Sequence, residues 1–392
     1  MTAAPAPDGM PAPRSSPGWY PDPWASSNGR GSSGAPAMRW WDGLMWTTHV
    51  AEPSVGRPRL PAWASVPVLV CGGLVAIGLV VAVFVSPVAV ALGFVPILIV
   101  APVLQWFDRV EPEPLAARMH ALLWGATVAV VVSVIVNTVV DLAAGTAVAA
   151  VVSAPIIEEI TKAIGIVYAV RRHEVDGVMD GIVYAGWVAL GFAVIEDVTY
   201  FLTAEQEGAL LPTFILRAVL TPFAHPLFTA WTGLAIGRAV ARSKPIFPSM
   251  LWGLALAIGS HALWNGSLVI GEELSSPLAV LLGLAVFVVL FITGMSLLIV
   301  SRRRAQRRFI ELVPWLAQRY SVSPAEAMAF SDWATMRRIR RALPRAERRR
   351  FDGVHAGLAR LALFHDQPRS ADAATEAALA DRLRGARYSH LD

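Results

Sequence analysis

At 392 residues, with 55% hydrophobic and 16% charged side chains and a mean hydropathy of +0.53, the chain has the balance of a membrane protein and not of a soluble globule. A formal net charge of +4 would suit nucleic acid, but the arginines crowd behind the last apolar run, where positive-inside topology accounts for them without a nucleic-acid partner. A single cysteine, Cys71, excludes a disulfide framework and a thiolate zinc site.

The leader carries Pro17-Gly18-Trp19-Tyr20-Pro21-Asp22-Pro23-Trp24, a Gly/Ser-rich stretch, and then Arg39-Trp40-Trp41-Asp42-Gly43-Leu44-Met45-Trp46. So much Trp in so short a polar segment predicts a small packed module over residues 1–50, with Asp42-Gly43 as its turn. It resembles the Trp-rich domain of unknown function found at the ends of actinobacterial membrane proteins, which implies no chemistry. Residues 51–62, rich in Pro and Arg, read as a linker. No signal peptide is visible, so the first apolar run is expected to remain as an anchor.

A spanning helix needs about 20 mainly apolar residues. That length predicts eight helices, at 64–85, 88–107, 118–140, 145–170, 179–202, 212–237, 247–270 and 277–300. Arg and Lys fall in alternate connections, at Arg109 and Arg118, Arg171 and Arg172, Arg238 to Lys244, and from Arg302 onward. The other connections hold Asp141, Glu205, Glu207, Glu272 and Glu273. The pattern predicts a multi-pass protein of the inner cell membrane, with both termini cytoplasmic. Its fold class is an all-α membrane helix bundle over 63–300. The tail, 301–392, has the helical periodicity Phe309-Ile310-Leu312-Val313-Leu316 and is expected to be a small cytoplasmic helical region.

Within these spans lie charges that lipid does not tolerate. The fourth holds Glu158, Glu159 and Lys162, the fifth Glu196 and Asp197, and the sixth Arg217 and His225; the seventh has His261 and Asn265. Left unpaired, the six formal charges would cost on the order of 15 kcal/mol, so they are expected to converge. Glu158 and Lys162 at i, i+4 share a helix face with Glu159, and His261 and Asn265 repeat that spacing. At 1.5 Å per residue, Glu158, His225 and His261 lie about 20, 18 and 14 Å from the outer ends of their spans, in one layer. A desolvated Glu suits a general base, neutral His a zinc ligand or oxyanion donor, and Asn an amide donor. Two His and a Glu with an open position form a recognised catalytic zinc shell, for which Glu159, His225 and His261 are the candidates; the same groups suit a metal-free glutamate protease.

Four elements occur in order over 155–266: Glu158-Glu159-x-x-Lys162; Asp180-Gly181 with Gly191-Phe192 and Glu196-Asp197-x-x-Tyr200; Arg217 with His225; and His261-x-x-Trp264-Asn265. Together they resemble the PrsW family of intramembrane proteases, related to the CAAX-protease superfamily. The resemblance implies a peptidase acting on membrane-anchored proteins, regulators such as anti-sigma factors among them, with Glu158, Glu159, His225, His261 and Asn265 in the catalytic set and Lys162, Glu196 and Arg217 in support. Asp197 departs from the Asn expected after Glu196. Read without the resemblance, Glu196 and Arg217 can form a plain interhelical pair, and Asp176 and Asp180 suit a helix N-cap. A proton- or metal-coupled transporter would also place Glu and His inside a membrane, though no internal repeat supports one. A non-catalytic signalling scaffold is the third reading.

Overall fold

The structure, a computed structural model, describes residues 18–21, 38–41 and 46–51, and 65–383 other than 110–112, 173, 243, 275–276, 321, 323, 331, 367–375, 377–378 and 382. The Trp-rich leader forms three strands, β1 (Gly18–Pro21), β2 (Met38–Trp41) and β3 (Trp46–Ala51). They pair antiparallel in that order, with Trp19 opposite Trp40 and Trp41 opposite Trp46. The expected Asp42-Gly43 turn and most of the linker lie outside the described residues.

Leu60–Arg307 forms one compact unit. Seven of its helices are long and apolar enough to cross a membrane: α1 (Val66–Val85), α2 (Pro87–Phe107), α3 (Leu115–Ala144), α5 (Val178–Gln206), α6 (Leu210–Ala241), α7 (Ile246–Glu273) and α8 (Pro277–Arg319). The helix at the fourth expected span, α4 (Ala154–Arg171), is shorter and carries Glu158, Glu159, Lys162 and Arg171, which is why composition alone passes over it. The predicted spans therefore correspond to helices, with α8 running on unbroken past residue 300.

Helix α5 is the hub. Every residue from Asp180 to Val198 is buried except Glu196, which is partly so, and an all-round apolar helix of this kind belongs inside a bundle. Its first turn is closed by Asp180, whose Oδ2 accepts from the backbone N–H groups of Asp176 and Gly177 at 3.0 and 2.8 Å. Against it α6 packs through glycine: a Cβ on Gly233 would stand 2.2 Å from the carbonyl oxygen of Gly181. Small residues let backbones meet this closely where lipid offers no hydrophobic drive. By contrast α1 exposes Val66, Val70, Leu74, Ile77 and Phe84, the surface expected of a helix facing acyl chains.

Two local distortions set up the site. Residues Ala149–Ser153, ahead of α4, form a wide π-type turn, a feature that recurs at functional sites. The carbonyl of Ala150 in that turn accepts from the Asn265 side-chain amide at 2.9 Å. In α6 a second wide turn, Ile215–Leu220, ends at Thr221. Pro222 has no N–H to give and disfavours helix at the residue before it, so the helix stops and restarts at Ala224. Thr221 caps the gap, its hydroxyl donating to the Leu216 carbonyl at 2.7 Å. The restart places His225 at the head of the new helix.

The tail has its own core. Phe309, Val313 and Leu316 of α8 pack with Phe330, Val354, Leu358 and Leu361, on α8 and on α9 (Pro324–Ala329), α10 (Trp333–Ala342) and α11 (Arg345–Asp366) or beside them. His355 is buried in this core at 5.3 Å from Phe309, 5.9 Å from Phe330 and 5.5 Å from Trp333. Burial pushes its pKa from 6.5 down to about 4. The folded tail thus binds fewer protons than the unfolded chain between those values, and stability falls as pH drops through that window, by about 3 kcal/mol in all. Hydrogen exchange of the 354–362 amides, corrected for intrinsic rate, is expected to speed up from pH 7 to pH 4, and His355→Leu to flatten that response. Equal pH dependence in both chains would refute the assignment to His355.

Candidate active site

Four helices deliver the polar groups to one place. Lys162 is completely buried, and its Nζ reaches Glu159 Oε1 at 3.0 Å, Glu158 Oε2 at 3.4 Å and His225 Nδ1 at 3.1 Å. The Phe192 ring lies under the same ammonium at 4.0 Å. On the far side of the imidazole, His225 Nε2 faces Glu196 Oε2 at 2.8 Å. His261 Nδ1 faces Glu159 Oε1 at 3.2 Å, and its Nε2 stands 3.9 Å from Glu158 Oε2. Thr229, one turn after His225, donates to Glu159 Oε2 at 2.8 Å.

These partners separate the two glutamates. Both oxygens of Glu159 are engaged, by Lys162 and His261 on one and Thr229 on the other, so its carboxylate is a fixed anion that orients donors. Glu158 has only the longer contacts to Lys162 and His261, which leaves lone pairs for a proton. The same network sets the histidine tautomers. Glu159 takes the Nδ1–H of His261, leaving Nε2 bare toward Glu158. Glu196 takes the Nε2–H of His225, leaving Nδ1 as the acceptor for Lys162.

Among the described residues, ligand atoms of Glu158, His225 and His261 lie within 4.8 Å of one another, all three side chains buried. The group that the geometry brings together holds Glu158 with the two histidines, whereas Glu159, named in the set expected from sequence, meets His261 at its Nδ1. The donor set fits a metal ion in type. Two imidazoles and a carboxylate make a catalytic zinc shell, and each imidazole has its other nitrogen held by a carboxylate, as ligating histidines do; the Nδ1 of His225 that would face the ion receives Lys162 at 3.1 Å, which a bound metal would have to displace.

The remaining sequence candidates divide. Asn265 is committed to the Ala150 carbonyl, outside the cluster, so it braces the wide turn leading into α4. Arg217 bonds both Glu196 and Asp197 and lies 3.8 Å above the Tyr200 ring. The pair that a structural reading anticipated is present, and through Glu196 it also abuts His225. Sequence reasoning missed Thr229 and Phe228, whose ring stacks on His261 at 5.0 Å. Thr229 had a signal: it follows His225 at i+4 and so shares its face.

Comparison with known proteins points the same way. A family model described as the PrsW family intramembrane metalloprotease matches residues 113–310, and a protein of unknown function (DUF2510) matches residues 17–59. The chain is 31% identical over 135 residues to Protease PrsW of Geobacillus kaustophilus, covering 34% of this chain and 58% of that one. It is 32% identical over 111 residues to the Oceanobacillus iheyensis protease of the same name, covering 28% and 49%. With that of Clostridioides difficile it shares 31% over 153 residues, 38% and 64% of the two chains. The matched part thus spans about half to under two thirds of each relative. No solved structure matches the chain.

Proposed function

The chain belongs to the PrsW family of intramembrane metalloproteases, and from that premise we propose that it is a peptidase hydrolysing peptide bonds of membrane-anchored proteins, regulators such as anti-sigma factors among them, in the inner membrane with both termini in the cytoplasm. The observation that carries this reading is the buried convergence of Glu158, His225 and His261 around Lys162.

In this mechanism Glu158 takes a proton from an attacking water as its oxygen bonds to the scissile carbonyl carbon. The carbon–nitrogen bond then breaks, and Glu158 returns the proton to the departing nitrogen. Lys162, held by Glu159, presents positive charge toward the negative charge that develops on the carbonyl oxygen. Glu159 and Glu196 hold the imidazoles of His261 and His225 in the required tautomers. Phe192 and Phe228 wall the site against lipid and stray water. A zinc ion would be held by Glu158, His225 and His261, with Glu158 then acting as a ligand in place of the base and Lys162 giving up His225 Nδ1; when bound it would polarise the carbonyl and acidify the water.

The test is cleavage of a single-span reporter by the reconstituted protein, with bound metal measured on the same preparations. His261→Ala is expected to abolish cleavage and, with His225→Ala, to empty the preparation of zinc. Reporter cleavage that survives both substitutions would sink the assignment.

A further inference from the structure

The positive-inside rule accounts for arginines within about 15–20 residues of a span, and so for those at 302–308. It does not reach Arg337, Arg338, Arg341, Arg345 and Arg349. Those on α10 follow its periodicity: Trp333 and Met336 pack in the tail core and Ile339 is part-buried, while Arg337, Arg338 and Arg341 are exposed. Arg345 and Arg349, also exposed, stand in the first turns of α11, where the helix dipole favours anions and basic groups oppose it. Among the described residues none of the five forms an ion pair, although Arg338 acts on the Asp332 carboxylate and Glu347 stands exposed between Arg345 and Arg349, whereas the neighbouring Arg340 is paired with Asp352 at 2.6 Å.

The tail's packing gathers them at one end. Phe309 meets Trp333 and His355, while further along α8 Trp315 and Tyr320 meet His365. Helix α11 therefore runs parallel to the tail segment of α8, and its basic first turns lie at the end of the tail where residue 308 stands. The head of α10 lies at that end as well.

We propose that this arginine face binds anionic phospholipid headgroups of the bilayer in which the chain is embedded, docking the tail on the membrane surface. Arginine forks pair well with phosphate oxygens. The tail follows a membrane span in the chain, so lipid is tethered close by, whereas a nucleic acid would have to be recruited. Near an anionic surface each arginine contributes about fivefold in association, so removing three weakens docking on the order of a hundredfold.

The experiment compares hydrogen exchange of peptides over 333–350 in the full-length protein, placed in nanodiscs of phosphatidylcholine or of phosphatidylcholine with phosphatidylglycerol. Exchange is expected to slow by tenfold or more with phosphatidylglycerol and to recover in high salt. The combined Arg337→Gln, Arg338→Gln and Arg341→Gln variant should lose that slowing, while the 354–362 core amides exchange as in the parent and so report an intact tail. Equal exchange in the two lipids overturns the proposal. So does slowing that persists in the variant, or slowing produced by added RNA and not by phosphatidylglycerol.

Discussion

Glu158→Gln is expected to leave a folded protein that cleaves a membrane-spanning reporter about 10²- to 10⁴-fold more slowly, the usual loss on removing a general base. The fold survives because Lys162 keeps its shorter bond to Glu159 at 3.0 Å, and the new amide still fills the space. Glu159→Gln should behave differently. It removes the anion that receives Lys162, His261 and Thr229, and breaking a buried ion pair from one side costs about 3–5 kcal/mol. Thermal unfolding and reporter cleavage, run on both variants, separate the roles. A Glu158→Gln protein with parental turnover would overturn the assignment of the base, and a Glu159→Gln protein with parental stability would overturn the orienting role.

Gly233→Leu is expected to damage stability and activity together. The added Cβ would sit 2.2 Å from the Gly181 carbonyl oxygen and 2.7 Å from the Ala185 Cβ, and the first is backbone that cannot rotate away. Helices α5 and α6 must then separate, at a cost of about 3 kcal/mol or more. Because α5 carries Glu196 and α6 carries His225 and Thr229, the same separation pulls the 2.8 Å His225–Glu196 contact apart. Gly259→Leu is the control, since a Cβ there meets nothing within 4 Å. If the two variants melt alike and cleave alike, the glycine contact does not position the site.

Much of this was legible in one dimension. The apolar runs mark the spans because lipid forces each backbone to satisfy itself within a helix. The ionisable side chains inside those runs mark the site because unpaired charge there is too costly to keep. Spacing of i, i+3 and i+4 put Glu158, Glu159 and Lys162 on neighbouring positions of one helix, and it could have added Thr229 to His225.

Periodicity within a helix says which residues share a face, but not how that helix is rotated about its axis against its neighbours. That rotation decides how each glutamate meets the histidines: Glu158 stands in one group with His225 and His261, while Glu159 holds His261 from its Nδ1 side and also takes Thr229. Wide turns shift the count further. The one at Ala149–Ser153 draws Asn265 to the Ala150 carbonyl, although its spacing from His261 suggests a site residue. The sequence by itself determined that this is a helical membrane protein with a buried Glu–Lys–His centre, because those consequences follow from the free energy of burying charge and backbone. Only the tertiary structure decided that Glu159 is engaged on both oxygens while Glu158 keeps the longer contacts, because that depends on side-chain contacts between helices far apart in the chain.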